Sequence, residues 1–165
     1  MDQDKLVALF KTLGAPEPEG WAASQIEEGI PQLARFLFLR QAWNTVVAED
    51  ESGWIDAQIQ QYLDSPNAPY AGTGRALESL RSKGATDSEL IDLVRGMQVE
   101  TLFELCYLLE DPGELEPEVE HVRWGLHLVD DNQDVVDSIS GLHESVLETD
   151  PTGREMRPRV VPPDQ

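Results

Sequence analysis

The hydrophobic residues of this chain recur mainly three or four positions apart, which is the spacing of one helix face. Leu6, Phe10 and Leu13 follow this spacing near the start, and Gly14 then ends the run. Farther along, Ser52 is a residue type that favours a helix N-cap. Extended over the whole chain, the pattern predicts a mainly all-α fold, a compact bundle of about six to seven helices.

The longest predicted helix begins at a capping box, in which Thr86 is the cap residue and Glu89 lies three positions later. The predicted inner face of this helix consists of Leu90, Val94, Met97, Leu105 and Leu108. The single Cys106 lies within the same helix and is expected to be a buried core thiol. A last helix is predicted from apolar residues at i, i+4, i+7 and i+11, which are Val135, Ile139, Leu142 and Val146.

One segment, residues 120–129, fits two kinds of secondary structure. Strand-like alternation with polar residues is seen at Val122, Trp124, Leu126 and Leu128. One helix face is formed equally well by Val119, Val122, Leu126 and Val129. No second strand-like run offers a partner, and an unpaired strand leaves its backbone groups unsatisfied. A helix is therefore the favoured interpretation, and a short strand is the alternative.

No repeat, low-complexity stretch or Ser/Gly linker divides the chain. We predict one helical domain over 1–150, whose C-terminal third (110–150) is acidic, and an extension over 151–165 that contains Pro and Arg. The acidic N-terminal residues do not resemble a secretory signal, and no apolar stretch reaches the ~18 residues of a membrane span. Because a single cysteine cannot form an internal disulfide, a cytoplasmic location is expected.

Acidic residues outnumber basic ones by 32 to 12 in the 165 residues, which gives a formal net charge of -20. Residues 110–150, which we call the acidic block, contain 13 acidic residues and one base, Arg123. This charge argues against binding to a nucleic-acid backbone or an anionic membrane. It leaves two interpretations, a solvated face that aids solubility and a docking surface for a basic protein. Ion pairs could offset the repulsion through the arginines of the extension, Arg154, Arg157 or Arg159.

The favoured function is that of a small interaction protein, of the inhibitor or immunity type, that occludes a basic protein partner sterically and electrostatically. The predicted partner-binding residues are Glu116, Glu118, Glu120, Asp130, Asp131, Asp134, Asp137 and Phe38. Phe38 falls on the polar side of its predicted helix, where either another helix covers it or it is an exposed anchor. Arg40 falls on the apolar side, which predicts a buried ion pair or an anion-binding role.

Catalytic motifs are weak in this sequence, and we expect neither an enzyme nor a bound cofactor or metal. No Gly-x-Ser-x-Gly sequence and no Cys/His pairing indicates a nucleophile. His121 and His127 lack the i, i+4 spacing of a helical zinc pair. Two alternatives stay open: a metal-dependent hydrolase that assembles a His/Asp cluster from residues 121–143, and a DNA mimic that occupies a nucleic-acid-binding protein.

Overall fold

A computed structural model describes residues 2–159 of the chain. The described chain is 53% helical, with seven helices and one two-stranded antiparallel sheet, so the predicted mainly helical fold is confirmed. The elements in chain order are α1 (Gln3–Leu13), α2 (Pro18–Glu27), α3 (Gln32–Trp43), α4 (Gly53–Asp64), α5 (Ala71–Ser82), α6 (Asp87–Leu108), β1 (Leu126–Val129), β2 (Val135–Ile139) and α7 (Leu142–Ser145).

The contacts of the described residues separate into two compact units. The first unit comprises the chain up to Thr45 and from Thr101 onward, and the second unit is Val46–Glu100. Helix α6 therefore contributes its first turns to the second unit and its last turns to the first. The predicted single domain over 1–150 is not decided by this grouping and stays a prediction.

The core of the first unit is built around three aromatic rings from α1, α2 and α3. The ring centroids of Phe10 and Phe36 are 5.9 Å apart, and those of Trp21 and Phe36 are 5.5 Å apart, both in edge-to-face geometry. Each such pair contributes about 1 kcal/mol beyond the burial of its area. Leu6 is fully buried in the same cluster, and Gly14 ends α1 with φ 80°, as the sequence pattern predicts.

The C-terminal part of the first unit is held by the indole of Trp43 at the end of α3. Its Nε1 donates to the carbonyl of Val146 and to Oγ1 of Thr149, both at 3.1 Å. The predicted last helix is wrong in extent, because only α7 is helical and the first part of the predicted run forms β2. Successive β-branched residues such as Val135 and Val136 favour a strand once a partner strand is present.

Helices α4 and α5 of the second unit approach each other closely at Gly74. A Cβ atom at this position would lie 2.1 Å from the carbonyl oxygen of Gln58 and 2.6 Å from Cβ of Tyr62. Glycine is therefore required for the backbones to pack at this distance. The hydrophobic core of the same unit consists of Ile55, Leu77, Leu90 and Ile91.

Arg81 of the second unit is paired with two carboxylates of the same unit. The Arg81 guanidinium donates to both oxygens of Asp87, at 2.8 and 2.7 Å, and also to Asp56. Arg81 holds the pKa of Asp87 below its ordinary value. The predicted capping box is confirmed, since Glu89 accepts from the Thr86 N–H at 2.8 Å and Thr86 Oγ1 accepts from the Glu89 N–H at 3.3 Å.

The buried face of α6 differs from the predicted one. Leu90 is buried and Val94 is half-buried, but three predicted core residues are exposed: Met97, Leu105 and Leu108. The buried residues of α6 are Leu90, Ile91, Arg95, Val99 and Cys106, of which only Leu90 belongs to the predicted inner face. Apolar residues lie on several sides of this helix, so their periodicity does not define a single face. Cys106 is buried as predicted, and this burial raises the pKa of its thiol to about 11.

Candidate interaction surface

Strands β1 and β2 form an antiparallel hairpin between α6 and α7. Leu126 lies opposite Ile139 and Val129 opposite Val135, with a shift of register that leaves Val136 without a direct partner. The short-strand alternative for 120–129 is therefore correct from Leu126 to Val129, and the favoured helix is wrong. The partner strand, Val135–Ile139, lies in the segment for which the sequence pattern predicts the last helix.

The turn of the hairpin is organised by the carboxylate of Asp130. Its Oδ1 accepts from the backbone N–H of Asp134 at 3.0 Å and of Asn132 at 2.8 Å, and these bonds hold the pKa of Asp130 below its ordinary value. Gln133 has φ 69°, in the left-handed region that usually contains Gly or Asn. Asp130 is half-buried, and its carboxylate holds the turn through these two hydrogen bonds. It therefore has a structural role in addition to its predicted role as a contact residue.

The seven predicted acidic contact residues, which we call the acidic surface, occupy three parts of the chain between α6 and α7. The segment between α6 and β1 contains Glu116, Glu118 and Glu120, the turn contains Asp130, Asp131 and Asp134, and β2 contains Asp137. All except Asp130 are exposed. Within residues 2–159, none of these seven carboxylates forms an ion pair with a Lys, Arg or His side chain. The acidic surface therefore keeps its charge uncompensated.

The one basic residue of the acidic block, Arg123, does not neutralise this surface. Its Nη1 donates to the backbone carbonyl of Val122 at 2.8 Å and to that of Glu120. The neighbouring indole of Trp124 donates to the carbonyl of Leu108 at 2.6 Å, which ties the segment to the end of α6. Arg123 thus satisfies backbone acceptors and leaves the carboxylates beside it free of a cation.

The C-terminal extension folds around Asp150, which is 4% exposed. Its carboxylate accepts from Thr152 N at 3.0 Å, from Thr152 Oγ1 at 2.7 Å and from Met156 N at 3.0 Å. Arg157 pairs with Glu155 at 2.7 Å, so this predicted partner of the acidic block binds a carboxylate of the extension itself. Residues 160–165 of the extension lie outside the described residues.

Exposed valines lie beside the carboxylates of the hairpin. Val135 is 63% exposed, Val136 57% and Val129 42%. Sequence reasoning missed these surface residues, because it assigned Val135 to the buried face of a last helix. The signal that could have found them is the pair of β-branched residues directly after a run of Asp and Asn, which is typical of a hairpin. The surface of the hairpin therefore combines exposed carboxylates with exposed apolar side chains.

The base of the hairpin is anchored by Arg35 of α3, which is only 7% exposed. Its Nε and Nη2 donate to the carbonyl of Ser140 at 2.9 and 2.6 Å. A Cβ atom on the following Gly141, which has φ 65°, would lie 2.1 Å from Nη2 of Arg35. The prediction that Arg40 is buried is wrong. Arg40 is exposed, because the buried face of α3 consists of Gln32, Arg35, Phe36, Leu39 and Trp43 and does not include it. Phe38 is half-buried, and its role as an anchor stays a prediction.

The histidines of the acidic block have different surroundings. His127 Nδ1 lies 3.2 Å from Oγ of Ser138 across the hairpin. His143 Nδ1 lies 3.3 Å from a carboxylate oxygen of Glu110, and its ring packs against that of Tyr107 with centroids 5.0 Å apart. In the described part of the chain, no group of three or more His, Cys, Asp or Glu side chains is arranged to hold a metal ion. The metal-dependent alternative thus has no ligand set among these residues.

A groove of about 440 Å³ lies in the first unit beside Trp43 and the exposed Arg40. Two carboxylates line it, but both already serve the fold. Glu148 accepts from the indole N–H of Trp21 at 2.7 Å, and Asp150 accepts the three hydrogen bonds of the extension. Both carboxylates of the groove are therefore hydrogen-bonded within the fold.

Comparison of the chain with protein-family models, curated proteins and solved structures found no significant match. Within residues 2–159, no helix combines the length and hydrophobicity needed to cross a bilayer.

Proposed function

We propose that this protein is an interaction module of the inhibitor or immunity type, which binds a basic protein partner through the acidic surface. The observation that carries the proposal is the set of seven carboxylates without an ion pair, beside an arginine that donates to backbone carbonyls. Repulsion among such charges costs folding stability, and a cationic partner would remove that cost on binding. Electrostatic complementarity of this kind speeds association and selects the partner.

The mechanism would be occlusion. A basic protein docked on the hairpin would lose access to its own anionic substrate, because the carboxylates occupy the same cationic groups. Binding of this type weakens as salt rises, since exposed charges are screened over about 10 Å at moderate ionic strength. A cytoplasmic location belongs to the proposal and is supported by the lone, buried Cys106.

The test compares two variants that lose equal charge. In the first, Glu116, Glu118 and Glu120 are changed to Gln. In the control, three exposed glutamates outside the acidic block are changed to Gln: Glu27, Glu78 and Glu100. Each protein is used for affinity capture from the native lysate at low salt, and the captured partner is then purified and titrated.

We expect the first variant to bind the captured partner about tenfold more weakly, equal to ~1.4 kcal/mol, while the control binds as the wild type does. Rising salt should release the partner from the wild type. Equal binding by all three proteins, or capture that salt does not change, would contradict the proposal. Competition by duplex DNA decides between an ordinary inhibitor and a DNA mimic, because only a mimic must share the DNA site of its target.

A further inference from the structure

The outer edge of β2 is open in the described structure. The sheet contains β1 and β2 alone among residues 2–159. The Ser138 N–H donates to the carboxylate of the preceding Asp137 at 2.8 Å. The opposing residue, His127, contacts Ser138 through its side chain, as expected of a pair whose backbone groups point away from each other. From these two contacts we infer that the N–H of Ser138 points to the outer edge of β2, where Asp137 accepts its hydrogen bond and an added strand would have to replace Asp137.

An open strand edge is a template for another strand, and proteins protect such edges with charged residues, proline, bulges, short strands or a covering element. β2, whose sequence is Val-Val-Asp-Ser-Ile, has no lysine and no proline; it is short, and its edge is modified by the carboxylate of Asp137 and the register shift at Val136. The negative charge of Asp137 disfavours acidic strands and favours basic ones. Val136 is the extra residue of the register shift, so regular alternation of side chains between the two faces is interrupted at Val136 and Asp137. A third strand at this edge would meet an exposed valine and an exposed carboxylate.

The charge around the edge selects the occupant. Asp131 and Asp134 lie at the turn and Asp137 on the strand, all exposed and without an ion pair among the described residues. A second copy of this chain would bring two acidic blocks together, each with 13 acidic residues and one arginine, and would be repelled. A segment with alternating basic and apolar residues would pair with the carboxylates and cover the valines.

We propose that β2 accepts an extended basic segment of the partner protein as a third strand of this sheet. The inference rests on the proposed function and adds the mode of recognition: backbone hydrogen bonds at the edge of β2, lysine or arginine beside Asp137 and Asp134, and apolar residues against Val136. The partner is thereby defined as a basic protein that presents an extended segment, not a helix or a rigid charged surface.

The experiment uses the full chain and two synthetic peptides of about eight residues, the length of an ordinary strand. One peptide alternates lysine and valine. The matched peptide has the same sequence and charge, but the backbone amides of its central residues are N-methylated. It therefore lacks N–H donors along both of its edges and cannot pair with a strand. Affinities are measured at low and high salt, for the wild type, for Ser138→Pro and for Ser138→Ala, which retains the edge N–H.

We expect the N-methylated peptide and the Ser138→Pro variant each to lose about tenfold in affinity, which corresponds to one or two backbone hydrogen bonds of ~1 kcal/mol each. Ser138→Ala should bind as the wild type does. Hydrogen exchange of the wild type gives a measurement that does not depend on a folded proline variant, and it should show new protection at the amide of Ser138 when the first peptide is bound.

Three outcomes would overturn strand addition. Equal, salt-sensitive binding of both peptides overturns it and leaves the proposed electrostatic function intact. Absence of binding by either peptide overturns it as well, and the capture test with the Glu116, Glu118 and Glu120 variant then decides the proposed function alone. A homodimer that Ser138→Pro abolishes would assign the edge to a second copy of the chain.

Discussion

In the second unit, Arg81 binds two carboxylates, whereas in the acidic block Arg123 binds two backbone carbonyls. The first arrangement compensates charge within the fold, and the second leaves the nearby glutamates and aspartates uncompensated. Exposed ion pairs contribute only about 0–1 kcal/mol each, so neither arrangement is the main source of stability. The difference teaches that the helical units are held by packing and buried hydrogen bonds, while the acidic surface keeps its charge uncompensated among the described residues.

The sharpest test of packing in the second unit is Gly74→Ala. The added methyl group would meet the carbonyl oxygen of Gln58 at 2.1 Å, and neither backbone can move without separating α4 from α5. We expect a loss of about 3 kcal/mol in the free energy of unfolding, measured in urea. Gly72→Ala is the matched control in the same helix, because no atom lies within 4 Å of its Cβ position. Similar stabilities for the two variants would contradict the close approach of these helices.

A smaller effect is expected at the base of the hairpin, from Arg35→Met. The substitution removes two hydrogen bonds to the carbonyl of Ser140 and leaves that acceptor unsatisfied, at a cost of about 2 kcal/mol. Arg40→Met on the same helix is the control and should change the free energy of unfolding by less than ~0.5 kcal/mol, because Arg40 is exposed. If Arg40→Met is the more damaging change, the arginine that supports the hairpin has been identified wrongly.

The smallest effect is a pH dependence confined to the hairpin turn. The pKa of Asp130 is lower in the fold than its ordinary value of 3.8, so its ionised form stabilises the turn above that pH. This contribution is lost as the pH falls through the lowered pKa. The Asp130→Asn variant should not show this loss of turn stability at low pH, whereas the Asp131→Asn variant should show it as the wild type does. Amide shifts of Asn132 and Asp134, followed by NMR from about pH 6 to pH 2, report the turn.

An unchanged acid transition in Asp130→Asn would show that another carboxyl group controls the turn. The same pair of variants separates the structure of the turn from recognition of a partner. Among residues 2–159, the hydrogen bonds to carboxylates in the turn are accepted by Asp130, and Asp131 has no ion pair. Loss of partner binding in Asp131→Asn with an intact hairpin would support the acidic surface as the docking site.

Local signals predicted a large part of the fold. The first helix with its end at Gly14 and the capping box of Thr86 and Glu89 were predicted correctly, because each depends on neighbours within one turn of chain. The hairpin was not predicted, because Val135 and Ile139 fit a helical period and also a strand. Only their pairing with Leu126 and Val129, formed across the turn at Asp130, decides for the strand.

The sequence by itself determined the helical class and the concentration of charge in residues 110–150. Tertiary structure decided which arginine of α3 is buried, which side of α6 faces a core and that part of the acidic surface lies on a two-stranded sheet. The physical reason is that composition and periodicity are properties of neighbouring residues. Burial and strand pairing depend on groups far apart in sequence, as Arg35 and Ser140 are.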